Sequence, residues 1–167
     1  MRILFSLMIM SVFPFFMTEE NKSEPLPNFA PDTKYCNTRF HFCTEFPDTL
    51  LPTRLVSDNH DGIILRSSDD EVVVTIAGSR DVMNRDTWDL YDDFVGEWMT
   101  DNDDGQIIYE IIQRPSYRVS SIDGDRQYWQ KLYHLGNKYV IYQIVAPKNE
   151  RQRINQIRDN LTISFDM

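Results

Sequence analysis

Hydrophobic and polar positions alternate with a period of two over residues 37–46. Phe40, Phe42, Thr44 and Phe46 fall on one side, and Arg39, His41, Cys43 and Glu45 on the other. Such alternation marks a half-buried strand, so this stretch predicts one with three phenylalanines on its core face. Pro47 and Pro52 end it and shape a loop through Asp58-Asn59-His60-Asp61-Gly62. The β-rich runs 63–66 and 72–76, separated by Ser67-Ser68-Asp69-Asp70-Glu71, predict a hairpin.

Over residues 86–99 the period becomes helical, placing Trp88, Tyr91, Val95 and Trp98, with Phe94, on one face. Asp86 is suited to the N-cap and Asp89 to the positive end of the helix dipole. The polar turn 101–105 should stop the helix. Four strand patterns follow, at 106–113, 117–122, 127–134 and 138–145, with Asp123-Gly124 and Gly136-Asn137 as hairpin turns between the last three. The run 138–145 is apolar on both faces, which predicts a central strand covered from both sides. Beyond Ala146-Pro147, Ile154, Ile157 and Leu161 recur at helical spacing with Arg151, Arg153 and Arg158 outside, and 162–165 reads as a closing strand. This order predicts an α+β domain, a twisted and mainly antiparallel sheet of seven to eight strands with helices packed on it.

The start of the chain changes the picture of where that domain works. Arg2 precedes an apolar run over 3–17, the length of a signal peptide and short of the roughly 20 apolar residues that span a membrane. Residues 1–17 are therefore expected to be a signal peptide or an N-terminal anchor, the latter tethering the protein to a membrane if uncleaved. Residues 18–33, with Pro25, Pro27 and Pro31 among polar side chains, read as a flexible linker, and 34–167 as a single domain. An extracytoplasmic location, periplasmic or secreted, follows.

Charge narrows the partners. The formal net charge is −9. Such a surface repels phosphate backbones, so nucleic acid is not expected as a partner, while a cationic partner or a divalent cation is compatible.

Cys36 and Cys43 are the only two cysteines, and an oxidising compartment favours a disulfide between them over metal binding or a reactive thiol. Asp101, Asp103 and Asp104 before Gly105, and Asp58 with Asp61, form two acidic loops where calcium could find oxygen ligands; the alternative is a pair of solvated turns. The first does not match the spacing of a twelve-residue calcium loop. Tyrosine and tryptophan occupy both faces of the meander, and Trp129, Tyr133 and Tyr142 are candidates for an exposed aromatic interface, against the plainer reading as core. Chemistry is hard to find. Ala77-Gly78-Ser79-Arg80 is not a nucleophile elbow, His41, His60 and His134 are scattered, and no phosphate-cradling glycine loop occurs.

The strand Lys138-Tyr139-Val140-Ile141-Tyr142, then Ala146-Pro147, a helix with spaced isoleucines and Ile163-Ser164-Phe165, resembles the close of the PsbP-like α/β/α sandwich family. Arg39-Phe40-His41-Phe42 to Phe46-Pro47 is similar to that family's first strand, so the resemblance covers about residues 35–165. It implies a binding or assembly module without a catalytic set; some bacterial proteins of this shape serve as periplasmic immunity proteins. The Cys36/Cys43 pair departs from the family pattern. Together these readings predict a non-catalytic exported module that binds a protein partner and needs no cofactor. The alternative is a divalent-cation or small-ligand binder using the acidic loops, and an enzyme with an unrecognised site comes third.

Overall fold

The computed structural model describes residues 33–102 and 104–165, all within the compact unit Pro31–Met167. The leader expected at 1–17 and nearly all of the linker expected at 18–33 lie outside the described residues. No helix among the described residues is long and apolar enough to cross a membrane.

The first expected strand is in fact a hairpin. Lys34–Asn37 (β1) and Phe42–Glu45 (β2) pair antiparallel with Cys36 opposite Cys43, and residues 38–41 form the turn. His41 takes a left-handed φ of 57°, and Asn37 pins the turn by accepting the Phe40 N–H at 3.0 Å. The alternation survives because Phe40, although in the turn, still points inward and is 2% exposed. Cys36 and Cys43 are disulfide-bonded on the outer face of this hairpin, where Cys36 is exposed.

Thr53–Val56 (β3), which the sequence pattern does not reveal, is exposed at all four positions. It pairs with Gly62–Arg66 (β4), and β4 with Val73–Arg80 (β5), as the hairpin pattern requires. Thr87–Asp101 (α1) then crosses one face of the sheet to a meander of Gln106–Gln113 (β6), Ser116–Asp123 (β7), Arg126–His134 (β8) and Lys138–Pro147 (β9). Asp86 caps α1 through its carboxylate, which accepts the Trp88 N–H at 2.7 Å and the Asp89 N–H at 3.1 Å. Trp88 departs from the expected core face: it is 49% exposed, and Leu90 takes its place inside.

The seven-stranded sheet has the order β3-β4-β5-β9-β8-β7-β6, every pair antiparallel, with β9 in the middle. The chain closes with Arg151–Asn160 (α2) and Thr162–Phe165 (β10). β10 does not join the large sheet; it pairs with β2, making a second sheet of order β1-β2-β10.

Three layers result. α1 packs Leu90 and Tyr91 on Tyr117, Val119 and Leu132 on one face of the sheet. On the other, Phe40, Phe42, Ile154 and Ile157 from the small sheet and α2 cover Val74, Ile76, Tyr142 and Ile144. Arg153 ties α2 to the β4–β5 turn through two hydrogen bonds to Asp69, which hold the Asp69 carboxyl far below the usual carboxylate range. Arg39 and Asn37 dock the first hairpin on the loop before β4, Arg39 to the Asp61 carboxylate and Asn37 to the His60 carbonyl at 2.8 Å.

Two outcomes follow. A Cβ at Gly78 would run into the Phe40 ring, so Gly78→Ala should overpack this junction and lower stability by about 2 kcal/mol in urea unfolding; wild-type stability would refute the close approach. Reduction of Cys36–Cys43, closing a loop with sequence separation 7, should cost about 2.5 kcal/mol by the loop-entropy relation while native circular dichroism persists.

Candidate functional site

The pleat of the sheet brings the site together. Trp129, Lys131 and Tyr133 of β8 lie opposite Ile144, Tyr142 and Val140 of β9, so they share the face on which α2 packs. Ser120 and Arg118 continue that face onto β7, and Tyr109 and Ile111 onto the outer strand β6. The β6 register shifts between Ile107 and Tyr109, and Ile108 is the extra residue. A groove of about 950 Å³ opens between this wing and α2.

Its lining is basic. Arg118, Lys131, Lys148, Arg151 and Arg158 face a single carboxylate, Asp159. Elsewhere Lys34, Arg39, Arg66, Arg85, Arg114 and Arg153 are held in ion pairs, whereas among the described residues none of the five groove cations is. Two of the five rest on aromatic rings instead: Arg158 lies 5.6 Å from the Trp129 ring centre and Lys131 4.3 Å from that of Tyr133. The π faces orient these charges without neutralising them.

The floor is aromatic. Trp129 and Tyr142 meet edge to face at 5.0 Å, and Tyr133 meets Phe165 of β10 at the same distance. Tyr142 is 3% exposed and its Oη has no hydrogen-bond partner among the described residues. Burial pushes its phenol well above the usual tyrosine range, and Tyr133 and Asp159 push the same way while Arg158 opposes. The hydroxyl therefore stays protonated, a donor that no acceptor among the described residues uses. At the outer lip Ile108, Tyr109 and Ile111 are 51%, 46% and 37% exposed.

Trp129, Tyr133 and Tyr142, named from sequence, thus gather in one groove, with Trp129 and Tyr142 buried in its floor rather than lying on an open patch. The acidic loops do not converge. Asp61 is engaged by Arg39 and by the Asn59 Nδ2 at 2.8 Å, Asp58, Asp101 and Asp104 are exposed, and Asp103 lies outside the described residues. Among the described residues no three histidine, cysteine, aspartate or glutamate side chains could share a metal ion. The cations were the part that sequence reasoning missed. Arg151 and Arg158 were visible as the outer face of a helix, but only the fold turns that face toward Arg118 and Lys131.

The tyrosines give this site a measurable signature. Tyr91, Tyr117 and Tyr142 are all raised chiefly by burial. The unfolded chain loses phenolic protons near pH 10, before these groups do in the fold. Their contribution to stability is therefore intact below about pH 10 and lost above it. Ultraviolet titration should show these three ionising only with cooperative unfolding, and reversible ionisation of all 8 tyrosines in the folded state would refute it. Tyr142→Phe should match or exceed wild-type stability at neutral pH, by up to about 1 kcal/mol, because it removes an unpaired hydroxyl.

No family model matches the sequence, and no curated protein does. Among solved structures, the chain is similar to cyanobacterial PsbP (CyanoP) from Synechocystis sp. PCC 6803, with TM-score 0.59 and 12% identity over 84% of this chain and 100% of that one. A protein of Bacteroides thetaiotaomicron VPI-5482 gives TM-score 0.41 and 11% identity over 80% of this chain and 49% of that one. The CyanoP match and the layer order observed here agree with the resemblance read from residues 35–165: the described domain has the PsbP-like fold.

Proposed function

We propose that this chain is a non-catalytic, exported binding or assembly module whose working surface is the groove between α2 and the β6–β8 wing. The observation that carries the reading is the concentration there of five cations without ion pairs among the described residues, over an aromatic floor, in a chain of net charge −9. Side chains that only solubilise the protein would be dispersed, and in the rest of the domain many cations are instead paired with carboxylates. Aromatic residues and arginine are also the types that dominate protein interfaces. The Cys36–Cys43 disulfide supports an oxidising compartment, periplasmic or secreted. The PsbP-like fold is compatible with an assembly or immunity role for this chain toward the partner it binds.

The test is capture from an envelope extract of the source cells by the full chain and by a variant carrying Arg118→Glu and Arg158→Glu. A protein retained by wild type and lost from the variant, with both giving the same melting temperature, is the expected result. Retention of the same proteins by both, or of none, would count against the groove as the working surface.

A further inference from the structure

We infer that the groove receives an acidic, extended polypeptide segment of the partner, its carboxylates held by the arginines and its apolar side chains seated on the β6 lip. The inference rests on the reading of the groove as a protein-binding surface and specifies what enters it.

Charge is the first argument. Arg118, Arg151 and Arg158 present guanidinium forks from both walls, and a fork matches a carboxylate with two parallel hydrogen bonds. Their exposure leaves them free to reach a ligand, and among the described residues they form no ion pair, so no carboxylate of those residues must first be displaced. The unpartnered Tyr142 hydroxyl beside Arg158 adds a neutral donor at the floor. All of these groups donate; Asp159 alone opposes them.

Shape and distribution separate a peptide from other polyanions. Ile108, Tyr109 and Ile111 stand exposed on the outermost strand, beside Arg118, so the occupant offers apolar groups next to its acids. A phosphate backbone has none to offer. The opposite face of the sheet is covered by α1, whose solvent side carries Asp89, Asp92, Asp93 and Glu97. Screening confines a charge's reach to about 8–10 Å at physiological salt. A short segment lying in the groove meets only the cations, whereas a long nucleic acid or a charged bilayer also meets the acidic remainder of a −9 molecule.

Selection of random peptides of about twelve residues against the immobilised full chain, disulfide formed, tests this. Expected is enrichment of sequences rich in aspartate and glutamate with interspersed aromatic or branched side chains. Their affinity should fall at least about tenfold in the Arg118→Glu, Arg158→Glu double variant, and about as much when their acids are replaced by glutamine or asparagine. A double variant with the same charge change elsewhere, Lys34→Glu with Arg80→Glu, should bind like wild type, and circular dichroism should be the same for all three proteins. Selected peptides without acidic bias that are still lost from the groove variant would overturn the acidic occupant and leave the protein-binding surface standing. Equal binding by both double variants would overturn it as well. So would displacement of the peptides by phosphatidylglycerol vesicles, single-stranded DNA or inorganic phosphate, or self-association of the chain that the groove variant abolishes.

Discussion

Every other feature of the domain depends on β9 being paired along both edges. The β3–β5 ribbon and the β6–β8 ribbon are held in one sheet only through this strand, which hydrogen-bonds to β5 on one side and β8 on the other. A strand so placed has its backbone donors and acceptors satisfied by the ladders, which allows it to lose water from both faces. Val140, Tyr142, Ile144 and Ala146 are 0–3% exposed on the face that carries α2 and the small sheet, while Tyr139 and Ile141 pack against the cluster beneath α1. The strand that closes the sheet thus joins the two cores. It also supplies, through Tyr142, part of the groove floor.

The layered arrangement reconciles an acidic chain with a basic site. α1 takes its carboxylates to one side of the sheet, where Asp89 also completes the capping box with Asp86. The cations of β7, β8 and α2 meet on the other side. A charge separated in this way across a sheet of low polarity is not averaged out by net charge, because screening in solution is shorter than the path around the domain. Net charge alone therefore describes the α1 face and does not describe the groove, whose lining is basic.

Much of the fold was legible because its strands obey simple periods. The alternation of Phe40, Phe42, Thr44 and Phe46 correctly named the inward side chains, and the two-faced apolar run at 138–145 correctly marked the central strand. What failed did so for local reasons. The turn at 38–41 keeps the alternation of a strand because Asn37 and the left-handed His41 fold the backbone back without reversing Phe40. β3 has no buried residue, so no hydrophobic pattern records it. Trp88 is three residues from Tyr91 but stands to one side of the stripe of Thr87, Leu90, Tyr91 and Trp98 that α1 buries, about 100° around the helix from Thr87. The site was legible only in its aromatic half, since Trp129, Tyr133 and Tyr142 announce themselves by residue type, whereas Arg118, Arg151 and Arg158 acquire meaning only when two distant segments are set face to face.

That juxtaposition is itself a consequence of element lengths. Seven strands at about 4.8 Å spacing make a sheet roughly 29 Å wide. Its α2 face is covered by a three-stranded sheet, about 10 Å across, and one helix about 10 Å thick. The cover reaches from Ile63 and Leu65 of β4, buried in the same cluster as Phe40, through Gly78 of β5 beneath the Phe40 ring to Trp129 of β8 beneath Arg158, and it ends there. β7 and β6 project beyond it. Their apolar residues on that face, Tyr109 and Ile111, are left partly wet, and the step between the covered and the uncovered sheet is the groove. On the opposite face the 15-residue α1 reaches Tyr117 and Val119 of this same wing and backs the overhang. A supported ledge with one dry face and one open face has a hydrophobic reason to be covered by something else, and the cations along its inner wall restrict what that can be.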